Sequence, residues 1–249
     1  MARVDYDRMA PRFDEGRALS PDALAGWRDA LAPYLPPAAG LPVVDVGSGT
    51  GRFAGLLSDW FDVRVAGIEP SAGMRRAAQR PAGHGNVSYA GGDAQHLPLR
   101  GASCGAAWLS TVIHHIPDLA ACARELRRVL APNAPVLVRS WFPGRDNDLT
   151  QWRYFPGARR IAETFPSVDA TVDAFATAGF AMEALESVPQ VSAPGLRALA
   201  DRIRTRADTT LELLSDEEFE RGLAELERDA ARETAPRPVV NRLDLLVVR

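Results

Sequence analysis

Residues 43–57 read VVDVGSGTGRFAGLL: a short apolar run, three glycines at alternate positions, then a helical pattern. Gly47, Gly49 and Gly51 each weaken a strand and fray a helix, so their spacing needs a separate cause. Gly47 permits a tight turn, while Gly49 and Gly51 let a ligand approach the backbone and the next helix pack closely. The N–H groups opening that helix can hold a carboxylate or another polar group. The other reading is a tight strand–helix turn with no ligand, and the turn alone does not say which nucleotide is bound.

Apolar runs bounded by turn residues surround this stretch, at 42–46, 63–68, 86–90, 105–111 and 135–141. Between them lie helix-like stretches at 52–60, 71–80 and 118–130; the last carries Leu119, Cys122, Leu126, Val129 and Leu130 at helical spacing. Alternating strand and helix predicts a parallel sheet covered on both faces. Upstream, 20–35 reads as a helix with Ser20 as N-cap and Pro21 in the first turn, broken by PPAAGLP at 36–42. Downstream of 141 the pattern loosens into an aromatic, turn-rich segment. A helix over 167–180 then ends at Gly179, and a strand follows at 181–191. Residues 194–234 are largely helical and Arg/Glu-rich, with Leu211, Leu214, Phe219, Leu223 and Leu226 as the apolar stripe. The segment 240–248 is a closing strand that returns to the sheet. One domain is expected: a cap and helix over 1–40, an α/β core over 41–193, a helical insertion over 194–234 serving as lid or dimer seam, and a last core strand over 235–249.

The chain has 249 residues, 46% of them hydrophobic, enough for one large domain with a sizeable core. A formal charge of −3 leaves no general basic field, which argues against nucleic acid as the main partner. All 29 basic residues are Arg; with no Lys, a Schiff base to a protein lysine is excluded. Cys104 and Cys122 read as buried, reduced thiols, and no zinc motif or other metal site surrounds them. The N-terminal residues are charged throughout, without the apolar centre of a signal peptide, and no run is long enough to span a bilayer. A soluble, cytoplasmic protein is expected, acting as monomer or homodimer without nucleic acid or membrane.

Ligands of a parallel sheet gather at the carboxyl ends of its strands. The first run ends at Asp45-Val46-Gly47. The second ends AGIEPS, where Glu69 lies 18 residues after Gly51, placed to accept hydrogen bonds from both hydroxyls of a ribose. The third ends AGGDAQHLPL, where Asp93 occupies the matching position and can accept from an adenine amino group. A solvated Glu and an Asp in a plain turn are the alternatives for these two carboxylates.

Taken together, VVDVGSGTGRFAGLL, GIEPSAGM, GDAQHLPL and STVIHHIPD resemble the class I S-adenosylmethionine-dependent methyltransferases, in the small-molecule branch that includes the ubiquinone/menaquinone-type enzymes. The glycines run G-x-G-x-G behind Asp45, whereas nicotinamide enzymes normally show G-x-G-x-x-G. The resemblance covers 43–141. It implies a Rossmann-like α/β fold, a doubly wound, mostly parallel seven-stranded sheet, with S-adenosyl-L-methionine as cofactor. It also implies roles: Asp45 and Gly47 near the methionine amino group, Gly49 beside the cofactor backbone, and Glu69 on the ribose. Asp93 and the Ala94 amide would read the adenine, with Ser110 or Thr111 beside the methionine part. Residues 6–19 resemble the family's N-terminal cap, with Tyr6, Phe13 and Arg17 closing over the site; the branch often has Tyr where Phe13 stands.

Methyl transfer from a sulfonium requires holding the acceptor in line, excluding water and, where needed, removing a proton. His114 and His115 are the candidate bases, although HHIPD also resembles a common turn of the family. Trp108 reads as core. Trp141, Phe142, Trp152, Tyr154 and Phe155 either line an acceptor pocket or pack the helical lobe onto the sheet. Arg139 either binds an acidic acceptor or pairs with a carboxylate. The expected function is methyl transfer to a small, apolar or aromatic metabolite at oxygen, carbon or nitrogen, in bacterial specialised metabolism. The alternative is a cofactor-binding protein of the same fold that catalyses a non-methylating cyclisation or rearrangement.

Overall fold

The structure, a computed structural model, describes residues 6–35, 40–80 and 85–249; most of the PPAAGLP break lies outside these. Seven strands form one sheet: β1 (Val43–Val46), β2 (Val65–Ile68), β3 (Val87–Ala90), β4 (Ala106–Ser110), β5 (Val136–Ser140), β6 (Met182–Ala193) and β7 (Val239–Val248). Their order is β3-β2-β1-β4-β5-β7-β6. The first five pair in parallel, while β7 runs antiparallel to both neighbours. The central strands β1, β4 and β5 are buried along nearly their whole length because helices cover both faces.

Ten helices accompany the strands among the described residues: α1 (Tyr6–Arg17), α2 (Pro21–Leu31), α3 (Arg52–Phe61), α4 (Ala72–Ala78), α5 (Leu119–Val129), α6 (Pro156–Ala162), α7 (Val168–Ala176), α8 (Leu196–Arg204), α9 (Thr209–Glu212) and α10 (Asp216–Arg232). Ser20 caps α2 as its sequence predicts, accepting from the Ala23 N–H at 3.2 Å. That helix stops at Leu31, short of the expected 35, and turns before the break. In the amphipathic α5, Cys122, Leu126 and Val129 are buried. Both cysteines are buried, unbridged thiols.

Two apolar layers sandwich the sheet. One gathers Val44, Leu109, Val138 and the buried side of α5. The other joins Trp27, Trp108 and Leu137 to Leu211, Phe219, Leu223 and Leu226 of the helical segment. The leucine stripe is therefore buried within the chain, against the sheet, and Leu211 also lines the cavity described below. No helix of the described residues is long and apolar enough to cross a membrane.

Candidate active site

The glycine turn joins β1 to α3. The Gly47 and Ser48 N–H groups donate to the Ile68 carbonyl at 2.7 and 3.2 Å, clamping the turn to the end of β2. Gly47, Gly49 and Gly51 all have positive φ, at 70°, 57° and 82°. A Cβ on Gly47 would lie 2.5 Å from Val112 Cγ2, so both conformation and space demand glycine there. At Gly49 the nearest atom to such a Cβ is Phe13 Cε1, 3.8 Å away, which leaves the backbone open to a ligand on the side the cap covers.

Two carboxylates border this turn. Glu69 is buried at the end of β2; one oxygen accepts from the Gly49 N–H and the other from the Ser71 N–H, both at 2.9 Å. Burial raises its pKa against those two bonds. Asp45 is 2% exposed, and its Oδ2 has no hydrogen-bond partner among the described residues. Burial, reinforced by the nearby charge of Glu69, pushes its pKa up to about 8. An orphaned buried carboxylate beside an opened glycine turn fits an ammonium ligand, and Glu69 retains lone pairs for ribose hydroxyls.

Asp93 stands apart in a turn: its Oδ1 accepts from the Gln95 N–H at 2.7 Å, and its side chain is half exposed. Ala94 lies in the same turn, partly buried against the α5 layer. Ser110 ends β4, and its Oγ accepts from Arg139 Nη1 at 3.2 Å. Thr111 follows with a φ of 53°, a costly left-handed conformation for a β-branched residue, and faces the cavity described below.

The cap folds over these strand ends. Asp7 of α1 accepts from the Gly73 N–H at 2.6 Å and from the Ser71 hydroxyl, docking the cap on the start of α4. Tyr6 Oη lies 2.6 Å from His115 Nε2 and 3.0 Å from Thr209 Oγ1, joining cap, β4 turn and helical lobe. Arg17 donates to the Ala207 carbonyl at 2.9 Å and to Thr111 Oγ1 at 3.4 Å. Phe13 packs edge-on to Tyr6.

A cavity of about 150 Å³ lies under the cap, with His114, Arg139, Trp141, Trp152, Phe165 and Leu211 in its walls. His114 stacks on Phe165, ring centroids 4.1 Å apart, and its buried Nδ1 has no partner among the described residues. Burial, then the charges of His115 and Arg17, hold His114 well below its usual pKa. His115 falls to about 4, through burial first and Arg17 second. Both rings are therefore neutral near pH 7. His115 is engaged with Tyr6, while His114 has an uncommitted ring nitrogen.

Of the aromatic residues, Trp141 and Trp152 line the cavity in a T-shaped pair with centroids 4.6 Å apart. Tyr154 does not: its ring is buried in the lobe and its hydroxyl donates to Asp229 at 3.1 Å, so its expected place in the pocket is corrected. Phe142 and Phe155 are fully buried, and Trp108 is core as expected. Arg52, Gln190, Arg202 and Thr209 also reach the cavity, and no local motif in the sequence announces them.

The strand order, the glycine turn and the two carboxylates define a class I methyltransferase fold. Residues 44–138, within the α/β core, match the family described as "Methyltransferase domain". A ubiquinone/menaquinone biosynthesis C-methyltransferase of Caulobacter sp. (strain K31) is 31% identical over 55% of this chain and 59% of its own length. The chain thus spans well under two thirds of that relative. A 27-O-demethylrifamycin SV methyltransferase of Amycolatopsis mediterranei is 27% identical over 84% of this chain and 79% of its own. Among solved structures, the [4+2]-cyclase SpnF superposes with a TM-score of 0.63 at 19% identity, covering 94% of this chain and 84% of its own; that likeness concerns the fold alone. The cofactor of this domain class is S-adenosylmethionine, and the residues around the glycine turn fit it.

Proposed function

We propose that this protein transfers a methyl group from S-adenosylmethionine to a small, apolar or aromatic acceptor, at oxygen, carbon or nitrogen. The observation that carries this reading is the adjacency of two built features. A glycine turn flanked by two buried carboxylates, one of them orphaned, lies at the same strand ends as an aromatic-walled cavity. The relatives named for quinone biosynthesis and for a rifamycin support a small-molecule acceptor, and the rifamycin relative alone supports a place in bacterial specialised metabolism.

When bound, the cofactor supplies an electrophilic methyl group on a sulfonium. Asp45 and Glu69 would hold its ammonium and ribose, with Asp93 and the Ala94 amide toward the adenine and Ser110 or Thr111 beside the methionine part. The cap residues Tyr6 and Arg17 shut the strand ends against water, while Trp141 and Trp152 orient an apolar acceptor. His114, neutral and with a free ring nitrogen, would take a proton from an acceptor hydroxyl.

The test is incubation with methyl-labelled S-adenosylmethionine and a panel of small aromatic acceptors, read by mass spectrometry. Label in an acceptor supports the reading. Cofactor binding with no label transferred to any acceptor, alongside conversion of a polyene without added mass, would favour cyclisation instead. His114→Ala should leave S-adenosylhomocysteine affinity intact and lower kcat by about 10²-fold or more on a hydroxyl acceptor, with an altered pH profile. Unchanged kcat would remove His114 from proton transfer.

A further inference from the structure

The cavity has an unbalanced charge. Four guanidinium groups reach its walls, from Arg17, Arg52, Arg139 and Arg202, against one lining carboxylate among the described residues, Asp208. Asp208 lies on the side of Arg17, 4.0 Å from its Nη2. Arg202 donates to the Ser192 carbonyl at 2.6 Å and feels Asp208, while Arg52 feels Asp14.

Arg139 has no such relief. It is 4% exposed at the end of β5, and no carboxylate among the described residues bonds or pairs with it. Its Nη2 donates to the Gln190 side-chain carbonyl at 2.8 Å and its Nη1 to Ser110 Oγ at 3.2 Å, both neutral oxygens. Its Nε is buried without a partner. The guanidinium is braced over the rings of Trp27 and Phe53, at 4.7 and 5.3 Å. Of five N–H donors, two are used, and with Nε enclosed the second N–H of each terminal nitrogen remains to grip an anion.

A buried cation without a counter-charge is costly unless a ligand brings one. The cofactor cannot: its ammonium and sulfonium outweigh its single carboxylate, so binding it adds net positive charge to the site. Resting on the methyltransferase reading, we infer that the acceptor is an anion: an apolar or aromatic carboxylate whose head group is held by Arg139, with its apolar body between Trp141, Trp152 and Phe165. The Trp27–Gln190–Arg139 chain, in which the Trp27 indole N–H also donates to Gln190 Oε1 at 3.1 Å, is the scaffold that aims the guanidinium.

The test uses benzoate and its neutral counterpart benzamide as probes, titrated by NMR into protein saturated with S-adenosylhomocysteine. Benzoate should bind about tenfold or more tightly than benzamide, as a charge-assisted bidentate contact implies. Arg139→Gln should erase that preference with S-adenosylhomocysteine affinity unchanged. Gln190→Glu guards against a variant that fails to fold: it keeps the arginine, supplies an internal carboxylate, and should also erase the preference. Equal binding of the two probes, binding of neither, or a preference that survives both substitutions would overturn the inference. So would loss of S-adenosylhomocysteine affinity in both folded variants, which would put Arg139 on the cofactor carboxylate. Failure of the unaltered protein to bind S-adenosylhomocysteine would instead strike the methyltransferase reading itself.

Discussion

Asp45 and Glu69 differ in what satisfies them, and the difference gives each a separate test. Glu69 has two backbone N–H donors, so it fixes the glycine turn as well as offering lone pairs outward. Glu69→Ala should weaken S-adenosylhomocysteine binding by about 1–3 kcal/mol, measured by calorimetry. Unchanged affinity would reject its role. Asp45 has an orphaned oxygen and a pKa near 8 in the free protein. Below about pH 8 its carboxyl is largely protonated, and an ammonium beside it favours the carboxylate, so binding must expel a proton. S-adenosylhomocysteine affinity should therefore rise with pH up to about 8, with proton release seen as a buffer-dependent binding enthalpy, and Asp45→Asn should abolish that slope. A flat profile in the unaltered protein would take Asp45 away from the ammonium.

At the scale of elements, the glycine turn is the joint on which the site depends. Gly47→Ala puts an L residue at a φ of 70° and a methyl group against Val112. The conformation alone costs about 1–2 kcal/mol. Urea denaturation should show a loss of at least that size, with cofactor affinity falling because the Asp45 and Glu69 ends move apart. A variant that keeps both would mean the turn is more plastic than its geometry indicates.

The same scale shows what was legible in the sequence. β1, β2, β4 and β5 fall within two residues of the apolar runs that predict them, because buried parallel strands need unbroken apolar sequence and the turns between them are locally encoded. Glu69 at a strand end was equally readable. The burial that neutralises His114 and His115 was not, since it comes from Phe165, the cap and the lobe, all distant in sequence. Nor were Gln190 and Arg202 in the cavity wall, or Tyr154 turned toward Asp229. These depend on how β6 and β7 bring the lobe back across the sheet, which local pattern does not specify.

At the scale of the whole molecule, the helical lobe and the sheet share one apolar layer. Leu226 of α10 is fully buried in the cluster that holds Trp108 and Leu137. Leu226→Ala should cost about 2–5 kcal/mol, and the chain should still unfold in one transition, coincident by near- and far-ultraviolet circular dichroism. An early, separate transition of the lobe would show that it is an independent lid.

The central claim is that the glycine turn of β1 holds S-adenosylmethionine, and calorimetric titration of the folded protein with S-adenosylmethionine and S-adenosylhomocysteine tests it most directly. The account predicts one site per chain with Kd on the order of micromolar for at least one of the two. No binding of either, by a sample whose fold is confirmed by circular dichroism, would contradict it.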